Sequence, residues 1–338
     1  MRRNLFTLAI VMIPAALLMV CGDAKAAKSV EMVVSAPFAK TALPMAGVLQ
    51  DLADTFAEAS GGVIKPKVHW GGSLYKKEAE SVQAVSAGSI ECAAAGPPYI
   101  LEKFEPLYGL FNLPLLFDDI DHYLRFVSSA EWNKTAVANL EKKNIKVLPP
   151  VVFMQFAWAG KKPINGVNDL KGVTMRVLPS PVFVKFVELS GGKVVTVDTS
   201  ELAVALQTGM FESILMSTHV GWMKTFKYLE YMPHCCVKPK VTTQSADLTL
   251  NLNWWNKLPD DIKKKCEASL AGWVDRSRQT VKKFLDVDSV NYIKEHGKPF
   301  NLSKEATDQW RATLAPLYDE VFKKLKHPEM LDLVNRLR

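Results

Sequence analysis

The stretch that decides the fold covers residues 169–217 and reads DLKGVTMRVLPSPVFVKFVELSGGKVVTVDTSELAVALQTGMFESILMS. Over residues 172–178, Val173, Met175 and Val177 alternate with the other side chains, which is typical of a β-strand. Ser180-Pro181 then marks a helix start, and the following glycine pair marks its end. Further strands are predicted at 193–197 and 210–217, with a helix between them. The stretch is therefore a β-α-β-α-β unit.

Such alternation of strands and helices predicts a parallel sheet with right-handed crossovers. Ligands of these sheets bind beyond the carboxyl ends of the strands. Arg176 lies near that end of its strand, shortly before a helix start. A guanidinium group and a helix N-terminus both favour a planar carboxylate. Arg176 is thus a candidate anion anchor, and the alternative is an arginine that pairs with a neighbouring aspartate.

The amino-terminal half repeats this order. Strands are predicted at 30–36, 63–70 and 89–95, with helices at 43–59 and 76–87 between them. Two such units predict two lobes that share a cleft, where small-ligand sites concentrate. The residues that follow the strands of the first unit are therefore candidates for the cleft: Phe38, Trp70, Pro97 and Tyr99.

Residues 1–26 have the organisation of an export signal. Arg2 and Arg3 precede an apolar run, and Ala24-Lys25-Ala26 forms a cleavage site. We expect cleavage near Ala26 and release into the periplasm, by general secretion or by the twin-arginine route. Removal of this segment takes away three basic and one acidic side chain, so the net charge falls from +7 to about +5. That balance, without any block of basic residues, gives no indication of nucleic-acid binding.

Motifs of exported enzymes are missing from the sequence. It has no G-x-S-x-G, H-E-x-x-H or G-x-x-x-x-G-K-[ST] pattern, and its six histidines have no metal-ligand spacing. We therefore expect a protein that is not an enzyme and needs neither a cofactor nor a metal. Cys235 and Cys236 could pair with Cys266 or stay reduced, and the sequence leaves both alternatives open.

Several dispersed motifs, including Leu170-Lys171-Gly172, Met175-Arg176-Val177 and Leu206-Gln207-Thr208-Gly209, resemble the substrate-binding proteins of TRAP transporters, of the DctP type. The resemblance covers nearly the whole chain after the signal. It implies a periplasmic receptor whose arginine, here Arg176, clamps the substrate carboxylate. It also implies membrane permease subunits as partners, and we expect a monomer.

The resemblance also shows departures at three positions. The family often has a second ligand-binding arginine where this chain has Phe156, an asparagine where it has Met216, and an acidic residue where it has Gly96. Arg176 is then left as the clear charged anchor in an apolar and aromatic pocket. A second carboxylate would be poorly matched there.

A monocarboxylate with a hydrophobic or aromatic body, such as an aromatic acid or a 2-oxo acid, is therefore the favoured ligand. The alternatives are a C4-dicarboxylate receptor and a binding protein that feeds a sensor kinase, and neighbouring genes for two membrane subunits would separate the latter from a transport role. The predicted ligand-binding residues are Arg176, Phe156, Trp158, Trp70, Pro97, Tyr99, Met216, Phe38 and Trp222.

The predicted fold class is α/β, a two-lobed periplasmic binding protein with mixed sheets, a cleft between the lobes and a long C-terminal helix that bridges them. Lobe I is predicted to contain residues 27–153 and 242–281. Lobe II is predicted to contain residues 154–241 and 282–338. His219 is expected to be a hydrogen-bonding neighbour of the site, since no partnered nucleophile accompanies it.

Overall fold

The computed structural model describes residues 29–94, 98–197 and 201–338. The predicted export signal, Gly96 and Pro97 lie outside the described residues. Within the described part of the chain, the strands form two sheets, which we take as the centres of lobe I and lobe II. No helix in this part is long and apolar enough to cross a membrane.

The sheet of lobe I is mixed, with the strand order β2-β1-β3-β11-β4. β1 pairs in parallel with β2 and β3, whereas β11 runs antiparallel to β3 and β4. Its strands are β1 (Val30–Ser35), β2 (Ile64–His69), β3 (Cys92–Ala94), β4 (Ile145–Val147) and β11 (Leu248–Asn251).

The sheet of lobe II has the strand order β12-β9-β5-β8-β6-β7, with β10 added on β5. β6 pairs in parallel with β7 and β8, as the alternating pattern predicted, and β5 runs antiparallel to β8, β9 and β10. Its strands are β5 (Val151–Gly160), β6 (Thr174–Val177), β7 (Lys193–Thr196), β8 (Ser213–Ser217), β9 (His234–Lys238), β10 (Thr242–Ala246) and β12 (Lys298–Asn301).

Helices cover these sheets and connect the strands. Those before β5 are α1 (Met45–Ala59), α2 (Glu78–Ala87), α3 (Pro98–Leu101), α4 (Ile120–Val127), α5 (Ala130–Trp132) and α6 (Ala138–Glu141). Those after β5 are α7 (Pro181–Leu189), α8 (Leu202–Gln207), α9 (Val220–Phe226), α10 (Tyr228–Tyr231), α11 (Leu252–Lys257), α12 (Asp260–Lys283), α13 (Ser289–His296), α14 (Lys304–Leu325) and α15 (Glu329–Arg336).

The predicted helix boundaries in the deciding stretch are confirmed. Pro181 is the first residue of α7, although the Ser180 side chain makes no capping hydrogen bond. Gly191 after the helix has φ +75°, a left-handed conformation that glycine adopts without strain. The third strand begins at Ser213, three residues later than predicted.

A long helical segment connects the two lobes. α12 continues through a π-helical turn, Phe284–Asp288, into α13. In lobe I the indole nitrogen of Trp273 donates to the Val48 carbonyl at 3.1 Å, and Arg276 makes a two-pronged ion pair with Asp51. At the other end α13 packs beside β12 and α10 of lobe II. The predicted bridging helix is therefore present.

The connections between the lobes differ from the predicted division at two places. Residues 242–251, assigned to lobe I, form two strands in different sheets, because β10 pairs with β5 of lobe II and β11 pairs with β3 of lobe I. The C-terminal segment, assigned to lobe II, packs on α4 of lobe I, where His122 Nε2 lies 2.8 Å from the Val334 carbonyl oxygen. Alternation of side chains predicts a strand, but it does not reveal a change of sheet within an extended run.

Pro316 lies inside the last long helix, and α14 runs through it as one helix. Trp310 in the first half of α14 stacks on Trp158 and Phe186 of lobe II, with ring centroids 5.1 and 5.4 Å apart. Tyr318 in its second half donates to the Pro114 carbonyl of lobe I. α14 therefore also joins the two lobes.

Candidate ligand-binding site

A cavity of about 130 Å³ lies where the two lobes meet. Lobe II contributes most of its wall through β5, β8, β10, α7 and α9, and lobe I contributes Tyr99 and Asn112. We call it the cleft cavity. Its lining residues are Tyr99, Asn112, Met154, Phe156, Leu178, Phe183, Met216, Ser217, Trp222 and Gln244.

The topology of lobe II explains why these side chains meet. β6 and β8 are parallel neighbours, so their carboxyl ends lie at the same edge of the sheet. Met216 and Ser217 end β8, Leu178 follows β6, and Phe183 lies in the first turn of α7. The cleft cavity is therefore at the edge where α/β sheets bind ligands.

The wall is mostly apolar, with a small cluster of hydrogen-bonded polar side chains next to lobe I. Gln244 Nε2 donates to Asn112 Oδ1 at 3.2 Å, and Asn112 Nδ2 donates to Glu102 Oε2 at 3.3 Å. Burial of the hydroxyl and the nearby Glu78 carboxylate raise the pKa of Tyr99 to about 12. Tyr99 therefore stays protonated at neutral pH and can donate a hydrogen bond to an anion.

Arg176 lies directly behind this wall. Its side chain is fully buried (0 % exposed). Its Nε and Nη2 donate to the Val197 carbonyl at 3.0 and 2.6 Å, and Nη1 lies 3.5 Å from the Leu215 carbonyl oxygen and 3.6 Å from Met216 Sδ. The Met216 side chain thus stands between the guanidinium group and the cleft cavity.

The profile of the family "Bacterial extracellular solute-binding protein, family 7" (DctP) matches residues 36–325. The chain belongs to this family. The match confirms the resemblance drawn from the dispersed motifs, and with the two sheets it confirms the predicted fold class.

Relatives of this chain include the sialic acid-binding periplasmic protein SiaP of Vibrio cholerae, 24 % identical over 82 % of this chain and 84 % of that protein. The C4-dicarboxylate-binding periplasmic protein DctP of Rhodobacter capsulatus is 25 % identical over 83 % of this chain and 82 % of that protein. A TRAP periplasmic solute-binding protein of Ochrobactrum anthropi, solved with its C-terminus in the ligand-binding pocket, has a TM-score of 0.83 at 20 % identity. The match covers 92 % of this chain and 95 % of the Ochrobactrum anthropi protein.

The structure brings together four of the residues that the sequence selected. Tyr99, Phe156, Met216 and Trp222 line the cleft cavity of this family 7 protein. Trp222 stacks on Phe226 with ring centroids 5.4 Å apart, which holds it at the rim from α9.

The other predicted aromatic residues lie elsewhere. Trp158 is fully buried in the core of lobe II, stacked on Trp310, so its selection as a cleft residue is corrected. Phe38 and Trp70 contact each other, with centroids 6.3 Å apart, and neither lines the cleft cavity. Phe156 and Trp158 are two residues apart on β5, so their side chains lie on the same face of the strand. Only the packing of α14 decides that Trp158 is covered.

Sequence reasoning missed the amide pair and most of the aliphatic wall. Asn112 belongs to an apolar segment, residues 110–117, yet its side chain reaches the cleft cavity from the 3₁₀ helix Pro106–Asn112. Gln244 lies on β10, whose sequence Thr-Thr-Gln-Ser-Ala matches no functional motif. A polar side chain within a buried strand was the available clue, since such groups are rarely buried without a partner.

His219 is placed as expected, as a hydrogen-bonding neighbour of the site. Its Nδ1 accepts from the Gly221 amide and caps α9. Its ring packs on Phe153 and Phe284, with centroids 5.3 and 4.5 Å away. Burial lowers the pKa of His219 to about 4, so the ring is neutral at physiological pH.

Proposed function

We propose that this protein is the periplasmic receptor of a TRAP uptake system and captures a small monocarboxylate with a compact apolar body. The observation that carries the proposal is the cleft cavity itself. Six of the ten described residues that line it are apolar, and the guanidinium of Arg176 lies one side chain behind them. Relatives in the same family are named for sialic acid and for C4-dicarboxylates, both of which carry carboxylates.

Arg176 would anchor the carboxylate after a movement of Met216. A thioether is a flexible and weak acceptor, so carboxylate oxygens would replace its contact with Nη1 at a gain. Tyr99, Asn112, Ser217 and Gln244 would then take a keto or hydroxyl oxygen next to the carboxylate. The same four groups fix the orientation of the ligand, as a few polar groups do in most apolar pockets.

The size of the cleft cavity favours short, branched acids. An apolar cavity of about 150 Å³ accommodates benzene, and the cleft cavity has about 130 Å³. Acids of five or six carbons would fill it. Among the described residues that line it, none is positively charged, so a second carboxylate would be buried without a cation.

Closure of the two lobes would supply the signal for transport. Tyr99 and Asn112 reach the ligand from lobe I, and the other lining residues reach it from lobe II. A ligand that contacts both lobes shifts the open–closed equilibrium towards the closed form. We propose that the closed monomer delivers its ligand to membrane permease subunits, and adjacent genes for such subunits would support this partner.

The test is calorimetric titration of the protein without its export signal, unfolded and refolded to remove carried-over ligand. The panel contains 2-oxoisovalerate, phenylpyruvate, succinate, malate and N-acetylneuraminate. We expect 2-oxoisovalerate to bind most tightly. Tight binding of succinate or malate without binding of the branched and phenyl acids would overturn the proposed ligand class.

Two matched variants examine the anchor. Arg176→Lys keeps the charge but loses the planar fork, so we expect at least a tenfold loss of acid affinity. Arg276→Lys changes an exposed arginine of lobe I and should bind like the parent protein. Equal affinity of both variants would place the anchor elsewhere.

A further inference from the structure

A second cavity, of about 340 Å³, lies in lobe I on the other side of β10 from the cleft cavity. We call it the hinge cavity. Neighbouring residues separate the two: Gln244 and Asn112 face the cleft cavity, while Ser245 and Phe111 face the hinge cavity. Its size is within the range of small-molecule sites.

The wall of the hinge cavity includes both connections between the sheets. Residues 147–150 lead from β4 into β5, and residues 245–247 lead from β10 into β11. The exposed residues Ser128 and Asn133 lie at its mouth. An occupant would therefore contact both crossing segments at once.

Asp247 is the carboxylate among the described residues that line this cavity, and it is only 2 % exposed. Its Oδ1 accepts a hydrogen bond of 2.9 Å from Ser245 Oγ. The Tyr123 hydroxyl lies 2.6 Å from the same Ser245 oxygen, so a short chain of hydroxyls ends on the carboxylate. Among the residues that the structure describes, nothing donates a hydrogen bond to Asp247 Oδ2.

Neither is the carboxylate paired with a cation. In the described part of the chain, no ion pair includes Asp247. Lys146 also lines the hinge cavity, but its ammonium lies over the Trp255 ring, 5.4 Å from the centroid. A buried carboxylate oxygen without a donor is costly, and native proteins retain such groups chiefly where a ligand or a function uses them.

The remaining wall has the chemistry that recognises an organic cation. The aromatic side chains of Tyr108, Phe111 and Tyr123 line the hinge cavity next to Asp247. Their ring faces attract ammonium groups, and the attraction is larger where water is excluded. We propose that the hinge cavity is a second binding site, for a small organic ammonium compound whose charged nitrogen donates to Asp247 Oδ2 and whose apolar body packs on these rings.

The hinge cavity would bind a cation, whereas the cleft cavity would bind an anion. Burial raises the pKa of Asp247 to about 7, and the hydrogen bond from Ser245 opposes that increase. A bound ammonium group would stabilise the ionised carboxylate. Tyr108 and Tyr123 stay protonated because burial and the nearby Asp247 carboxylate raise the pKa of both hydroxyls, so they add no competing charge.

The experiment is calorimetric titration of the ligand-free protein at pH 8 with benzylammonium and butylammonium. Benzyl alcohol and butanol serve as neutral compounds of the same shape. We expect the ammonium compounds to bind at least tenfold more tightly than the alcohols. Equal affinities would overturn the proposal in the parent protein, without reliance on any variant.

Asp247→Asn provides the second arm, because the amide has the shape of the carboxylate but no charge. We expect at least a tenfold loss of ammonium affinity, while acid binding in the cleft cavity is retained and shows that the variant is folded. Asp121→Asn, on the exposed side of α4, is the matched control and should bind like the parent protein. Undiminished ammonium binding by Asp247→Asn would contradict the assignment.

Discussion

Arg176 and Asp247 are both buried ionisable residues of this receptor. The surroundings of Arg176 stabilise its charged form, whereas those of Asp247 destabilise its charged form. Arg176 is the next-to-last residue of β6 and donates to the Val197 carbonyl with two nitrogens. Asp247 follows β10 and accepts one hydrogen bond, from Ser245, while its other oxygen has no donor among the described residues. The arginine is thus held by backbone dipoles, whereas the carboxylate is disfavoured in its ionised form.

Burial of a charged residue does not by itself identify a site. A guanidinium group has five donors and can be satisfied by carbonyl oxygens near it. A carboxylate can only accept, and the interior of this lobe offers it few donors. The energetic consequences of removing the two charges should therefore have opposite signs.

The largest expected effect is a pH-dependent gain in stability from Asp247→Asn. The pKa of Asp247 is raised from 3.8 to about 7, so ionisation of this carboxyl destabilises the native state as the pH rises from about 4 to about 7. Asparagine does not ionise. The difference in the free energy of unfolding between the variant and the parent should therefore grow in favour of the variant by up to about 4 kcal/mol between about pH 4 and pH 7. Above about pH 7 the difference should stay constant.

Urea unfolding at pH 4.5, 6 and 8 measures this gain, with Asp121→Asn as the surface control. A stability difference that is constant with pH would show that Asp247 is not disfavoured as a carboxylate, and the contrast with Arg176 would then disappear.

A smaller effect of opposite sign is expected from Arg176→Met. The variant leaves the buried carbonyl of Val197 without these donors, and an unsatisfied buried carbonyl costs about 1–3 kcal/mol. We expect a loss of roughly 3 kcal/mol in urea unfolding at pH 7. Arg276→Met, which removes an exposed ion pair with Asp51, should lose much less. Similar losses for both variants would mean that Arg176 is not held by its backbone contacts.

The smallest effects distinguish the two faces of β10. Gln244→Ala removes an amide from the cleft cavity, and Ser245→Ala removes the hydroxyl that donates to Asp247. We expect each to lower affinity about fivefold, because one hydrogen bond contributes about 1 kcal/mol. Gln244→Ala should affect the binding of acids and Ser245→Ala that of ammonium compounds. Crossed or equal effects in the two titrations would show that the cavities are not separate.

Much of the fold could be predicted from local signals. Alternating apolar residues, Ser180-Pro181 and the glycines after the helices located β6, α7, β7 and β8 to within a few residues. These signals are short-range, because they depend on backbone dihedral angles and on the period of the side chains. The sequence could not show that one extended run supplies β10 to lobe II and β11 to lobe I, since that depends on partners far away in the chain.

The candidate site was predictable only in part. Phe156 and Trp158 have the same character and lie two residues apart on β5, yet Phe156 lines the cleft cavity and Trp158 stacks on Trp310. Asn112 and Gln244 gave no motif, and they became neighbours only because the loop of lobe I returns to β10. Side-chain chemistry can be read from a sequence, but which face another element covers is a property of packing.

By itself, the sequence determined the family, the α/β class and the presence of an arginine near the carboxyl end of a strand, because each can be read from short motifs without knowledge of the contacts between them. The tertiary structure alone decided that Met216 separates Arg176 from the cleft cavity and that Asp247 is buried in one of the two lobe connections, beside the other. The physical reason is that burial and hydrogen-bond partners are set by contacts between distant segments. Those contacts determine the local electrostatics, and the same residue types in another packing would have a different chemistry.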